Sequence, residues 1–154
     1  MRRTVDTFLE RLLIVIVLIM LLAVVWQVIS RYVLGSPSTF TDEIASYSLI
    51  WLGLFGAAYA TGKELHLAID LIPKNTIAKS PRFFHGFVTF FVIVFAILVM
   101  VIGGLRLCWL TWVLEQKSAV LKIPLAFVYL VLPLSGLLIV YYSFDSYQQK
   151  LKIL

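Results

Sequence analysis

Residues 12–28 carry no charge, and Gln27 alone interrupts their apolar run. Residues 44–62 are uncharged for 19 positions, 83–105 for 23 and 123–144 for 22. A hydrocarbon core takes roughly 20 helical residues at about 1.5 Å of rise each. The pattern therefore predicts an all-α integral membrane protein with four transmembrane helices, at about 12–34, 42–62, 83–114 and 123–144. They form a single membrane domain over 1–154, and no stretch is left for a separate soluble one. Arg2 and Arg3 ahead of the first run imitate a secretory signal. The run is longer than a typical signal core, however, and no A-x-A cleavage site precedes Arg31, so it reads as an uncleaved span.

Composition narrows the class further. The chain is 62% hydrophobic and 14% charged, against about 25% charged in soluble domains. Its net charge of +5 reflects residues that flank spans and set their orientation, and no nucleic-acid partner is expected. Arg2, Arg3, Arg11, Lys63, Lys74, Lys79, Arg82, Lys150 and Lys152 fall on one side of the predicted map; Arg31, Arg106, Lys117 and Lys122 fall on the other. Nine against four puts both termini and the second loop in the cytoplasm. The lone Cys108 excludes an intrachain disulfide and a multi-cysteine metal site.

The span ends are legible too. Thr41 before Asp42 and Glu43 reads as the cap of the second helix, with two acids at its positive pole. Gly35-Ser36-Pro37-Ser38 marks the outer turn before it. Between residues 83 and 114 no proline occurs, so one helix of about 48 Å is expected, tilted or projecting beyond the membrane. Pro133 should kink the fourth helix near its middle. In the second loop, Leu65, Leu67, Ile69 and Leu71 alternate with Glu64, His66 and Asp70. An amphipathic cytoplasmic segment lying in the headgroup plane is expected there, turned by Pro73.

Candidate chemistry is sparse. His66 and Asp70 are four apart and fit one helical face, but neither His66 nor His85 lies well inside a span, which weighs against a haem site. Ionisable groups inside a bilayer mark ion pathways, yet the first, second and fourth spans have no acid in their middle, and the third has only Arg106, toward its outer end. A chain without a deep carboxylate lacks the ligands of a proton or sodium carrier, which points to assistance of a larger partner. Gly53, Gly56, Ala57 and Ala60 give the second helix a small-residue stripe for close helix packing, internal or external. Trp51 sits mid-span, under lipid or a neighbouring helix, while Trp109 and Trp112 fit an outer aromatic belt. Arg31, Asp42, Glu43, Arg106, Glu115, Lys117 and Lys122 make a mixed-sign outer rim, where Arg31 is expected to pair with Asp42 or Glu43.

These residues, taken in order, resemble a known family. Trp26-Gln27-Val28-Ile29-Ser30-Arg31-Tyr32, then Phe40-Thr41-Asp42-Glu43, then Trp51 and Gly56-Ala57-Ala58, look like the small membrane (Q) subunit of TRAP transporters. Gly62-Lys63-Glu64-Leu65-His66 with Asp70 is similar to that family's cytoplasmic loop, and Ser118, Ile123-Pro124, Tyr129 and Pro133 to its last segment. Asp42 stands where the family often has Glu. The resemblance implies a scaffold subunit, not an enzyme, in the bacterial inner membrane and without a cofactor. Its partners would be a large multispan membrane subunit that moves an organic acid with sodium, a periplasmic substrate-binding protein, and membrane phospholipid. The cargo would be a dicarboxylate or a sialic acid, with the sialic acid type favoured. Trp26, Arg31, Asp42, Glu43, Trp51, Gly53, Gly56, Ala57, Ala60, His66, Asp70 and Arg106 are the candidate interface residues. The rivals are a membrane anchor of a redox complex and a self-contained small exporter.

Overall fold

The computed structural model describes residues 2–63 and 81–153, with side chains over 2–63 and 86–148. The expected amphipathic segment, with His66 and Asp70, lies outside the described residues. All regular structure within them is helical: α1 (Arg2–Tyr32), α2 (Thr39–Gly62), α3 (Pro81–Phe95), a π-helical segment (Ala96–Gly103), α4 (Gly104–Val113), α5 (Leu125–Tyr129) and α6 (Val131–Ile153). Four helical stretches are long and apolar enough to cross a membrane: Arg2–Tyr32, Thr39–Gly62, Gly86–Val113 and Leu125–Gln148.

Two clusters form the core, and α6 serves both. Leu9 and Ile16 of α1 meet Phe55 of α2 and Val131 and Tyr142 of α6. On the other side, Ala58 of α2 and Ile139 of α6 enclose Ala96 and Met100 of the π segment. The buried positions of α1 are Leu9, Ile16, Ala23 and Ser30, one every seventh residue. That spacing is the seam of a left-handed helix pair. Because α1 is apolar all round, only this seam tells its packed face from the membrane-facing rest.

Three sequence expectations change in detail. The cap of α2 is Ser38, not Thr41: the Ser38 hydroxyl accepts from the Thr41 amide at 3.5 Å, and the Thr41 hydroxyl donates to the Ser38 carbonyl at 3.1 Å. Thr41 thus sits in the first turn and returns a bond to the cap.

The fourth span breaks at Leu130 between α5 and α6, toward its outer end and away from its middle. Pro133 still explains the break, since it has no amide hydrogen and its ring crowds the carbonyl four residues back, at Tyr129. The third span runs from Pro81 to Val113 without a chain break, but Ala96–Gly103 is wound as a π-helix.

That wider winding lies where two helices come closest. A Cβ on Gly136 of α6 would fall 2.8 Å from Met100 Cβ and 3.3 Å from the Ala96 carbonyl oxygen. One on Gly104 would fall 2.9 Å from Pro133 Cδ. Here, without hydrophobic force between spans, close contact between small residues holds helices together.

Candidate partner interface

The corner between α1 and α2 is closed by short-range polar bonds. Gly35 takes φ +64°, a conformation that suits glycine, and the Ser36 amide donates back to the Ser30 carbonyl at 3.2 Å. Ser30, buried on the α1 seam, donates to the Gln27 carbonyl at 2.9 Å and accepts from the Ser38 amide at 3.2 Å. Gln27 Nε2 donates to Asp42 Oδ1 at 2.8 Å. The expected pairing of Arg31 with Asp42 or Glu43 does not occur. Asp42 is taken by Gln27, one helical turn deeper on α1, and Glu43 faces the loop beyond α4. Arg31 is exposed, with no ion pair among the described residues.

Glu43 carries the most elaborate contact at this end of the bundle. Its two carboxylate oxygens accept from the backbone amides of Ala119 (3.0 Å), Val120 (3.2 Å) and Leu121 (2.8 Å), and from the Tyr47 hydroxyl (3.1 Å). Those amides form the tip of a tight hairpin at residues 116–125. It is closed by Ser118 N donating to Ile123 O and Leu125 N donating to Gln116 O, both at 2.9 Å. Successive amides aimed at one carboxylate make an anion-binding concavity. Here the chain's own acid fills it and staples α2 to the loop joining the third and fourth spans.

Mid-span, Trp51 is settled as an internal contact. Its ring meets Phe55 edge to face at 5.8 Å, and its Nε1 donates to the Val128 carbonyl at 3.1 Å. That carbonyl lies two residues before Leu130, where α5 gives way to α6. Trp51→Phe should keep the ring and lose the bond. The expected cost is about 1 kcal/mol, read as a lower unfolding midpoint in detergent; an unchanged midpoint would show the bond to be idle.

The small-residue stripe has the opposite fate. Gly53 and Ala57 are exposed, Gly56 and Ala60 half-buried, and a Cβ added at Gly53 or Gly56 would meet nothing within 4 Å. Internal packing uses the other face of α2, through Phe55, Ala58 and Gly62. Trp26 and Arg106 also point away from the bundle. Arg106 shares its outward face with the exposed Ile102, Leu110 and Val113. No group of three or more His, Cys, Asp or Glu residues among the described ones is placed to hold a metal.

At the other end of the bundle lies a polar cluster that sequence reasoning missed. Arg2 donates to Asp145 Oδ2 at 2.7 Å and to the Gly62 carbonyl at 2.5 Å, and the Tyr142 hydroxyl donates to Asp6 Oδ1 at 2.6 Å. The start of α1, the end of α2 and the last turns of α6 are thereby tied at one end. The guanidinium sits on the negative pole of α2, where cations are favoured. In the sequence these residues look like flanking charges. The one usable signal was Arg2 and Asp6 at helical spacing.

Comparison with known proteins bears on what this bundle serves. A family model described as "Tripartite ATP-independent periplasmic transporters, DctQ component" matches residues 3–152. The chain belongs to this family. DctQ components are parts of transporters, so the TRAP resemblance of the sequence is confirmed at the level of family, and the fold is the expected one of four apolar helices. The chain is also similar to a sialic acid TRAP transporter permease protein of Haemophilus influenzae (strain 86-028NP), 31% identical over 68 residues. That stretch covers 44% of this chain and 11% of the relative. A DctQ component of this kind has its packed faces turned inward and its small-residue face on α2 left open.

Proposed function

We propose that this chain is the small scaffold subunit of a sodium-driven TRAP transporter that imports an organic acid. The match to the DctQ family over residues 3–152 carries the reading. The large multispan subunit moves substrate and ions, and this chain holds that subunit in place while a periplasmic binding protein delivers the cargo. The open stripe of Gly53, Gly56, Ala57 and Ala60 favours close approach by a helix of the large subunit. Trp26 and Arg106 extend the outward surface toward the same subunit or surrounding phospholipid, and Arg31, Asp42 and Glu43 mark the outer rim. Trp51 acts from within, by fixing α2 against the fourth span. His66 and Asp70 are assigned to the cytoplasmic face of the interface.

A sialic acid is the favoured cargo, on the partial likeness to the Haemophilus influenzae permease protein. The setting is the bacterial inner membrane with both termini cytoplasmic, on the nine-to-four division of basic residues.

Two experiments test this. Proteoliposomes holding this chain alone should accumulate no sialic acid, because its spans offer no deep carboxylate. Uptake should appear once the large subunit, the binding protein and an inward sodium gradient are supplied. Sodium-driven uptake by the isolated chain would overturn the scaffold role, and failure to co-purify with the large subunit would overturn the assembly. For orientation, a reporter fused after Leu154 should read cytoplasmic, and a cysteine placed at the exposed Ala119 should be labelled from the periplasm. Labelling of that cysteine only after the membrane is breached would reverse the map.

A further inference from the structure

We propose that the outer hairpin at residues 116–125 is a preformed docking element for the periplasmic binding protein, and that Glu43 is the positioning residue that sets its shape. This rests on the TRAP reading above. The hairpin follows α4 beyond the exposed Trp109 and Trp112, so it stands past the aromatic belt that marks the membrane surface.

Its backbone is held in a costly form. Lys122, which is not glycine, takes φ +56° just beyond its tip, whereas the φ of +48° at Glu115 belongs to the left-handed cap that ends α4, with the Glu115 amide donating to the Trp112 carbonyl and the Gln116 amide to the Thr111 carbonyl. Non-glycine residues in that region persist only where surrounding bonds over-determine them, and such strain concentrates at binding sites. At Lys122 the over-determining bonds include those from Glu43, whose oxygens engage Ala119, Val120 and the neighbouring Leu121 from a separate helix. The hairpin is therefore shaped before any partner arrives, which lowers the ordering cost of association.

What it displays suits an acidic protein surface. Lys117 and Lys122 are exposed and have no ion pair among the described residues. Between them Val120 is 40% exposed, and Ile123 beside them 39%. An apolar centre flanked by cations matches a partner patch with an apolar centre and acidic edges. Arg31, also unpaired on this face, adds to the same field. Glu43 does not oppose it directly, since its carboxylate is turned under the hairpin tip and satisfied there.

The test uses the reconstituted three-component transporter and measures the binding-protein concentration that half-saturates uptake. Lys117→Glu with Lys122→Glu should raise that concentration about tenfold and flatten its dependence on salt, since rim charges act mainly on encounter. Glu43→Ala should raise it by a similar factor, and Glu43→Gln by less, because the amide keeps one acceptor oxygen for the hairpin amides. In the charge-reversed background Glu43→Ala should add little, because it acts through the lysines it positions.

Co-purification of the large subunit is measured for each variant; should Glu43→Ala fail to assemble, Glu43→Gln carries the same comparison. Half-saturation within twofold of the parent after charge reversal would overturn the docking element. A full additional effect of Glu43→Ala in the reversed background would overturn its positioning role. If the parent chain itself gives uptake that does not respond to binding protein, the TRAP reading falls, not the hairpin assignment alone.

Discussion

Gly136→Leu should prevent the third and fourth spans from closing on each other, and Gly136→Ala should already weaken them measurably. The Cβ of alanine would sit 2.8 Å from Met100 Cβ, 3.0 Å from Val101 Cγ2 and 3.3 Å from the Ala96 carbonyl oxygen. None of these is the far end of a flexible side chain, so relief requires the π-helical segment to move away from α6. Forcing extra carbon into a packed contact costs about 1–3 kcal/mol. A membrane bundle has little hydrophobic drive between spans to absorb that loss.

The alanine variant should therefore unfold at lower temperature in detergent, and the leucine variant should be recovered poorly or as aggregate. Gly53→Ala is the matched control, because its Cβ would meet nothing within 4 Å and should leave the bundle's melting unchanged. Equal melting of Gly136→Ala and Gly53→Ala would show that the close approach at Gly136 is not load on the fold. A fall in large-subunit recovery with Gly53→Leu but not with Gly136→Ala would separate the external interface from the internal one.

The same two glycines show how far the sequence could be read. Gly53 and its neighbours stood out as a stripe because small residues recur at helical spacing. Gly104, beside Gly103, and the single Gly136 make the tighter contacts, but they do not recur at helical spacing as a stripe does. The four spans were legible because bilayer thickness imposes one length on every apolar helix. The packed face of each was not, since in α1 the residues toward lipid and toward protein are equally apolar.

The outer rim follows the same logic. Asp42 and Glu43 were identifiable as charges at a helix start. Their partners were not: the amides of residues 119–121 are backbone groups 76 to 78 positions away, and backbone donors leave no mark in a sequence. Arg31 is nearer to Asp42 along the chain, yet it is Gln27, one helical turn further back on α1, that bonds Asp42. The π-helical winding was likewise invisible, because Ala96–Gly103 is as apolar as the helix on either side of it and carries no local mark of a wider turn.

Tyr142→Ala should be the most damaging single truncation at the end of the bundle where Arg2, Gly62 and Asp145 meet. The side chain is fully buried. Its ring lies against Gly62, where an added Cβ would come within 2.8 Å of ring carbons, and its hydroxyl donates to Asp6 at 2.6 Å. Removing a buried aromatic side chain costs about 3–5 kcal/mol when the surroundings cannot collapse. The lower part of that range is expected here, since some of the vacated surface can be met by lipid. Tyr142→Phe keeps the ring and removes only the donor, leaving the Asp6 carboxylate one bond short at about 1–3 kcal/mol.

The two effects can be separated. Asp6→Ala combined with Tyr142→Phe should cost less than the sum of the single changes, because both remove the same bond. Asp6→Ala combined with Tyr142→Ala should still show the full loss of packing. The readout is the unfolding midpoint of the purified chain in detergent, with helix content followed by circular dichroism. Tyr142→Ala melting together with the parent would mean that Arg2, bonded to Asp145 and to the Gly62 carbonyl, holds the three helix ends without help from the ring.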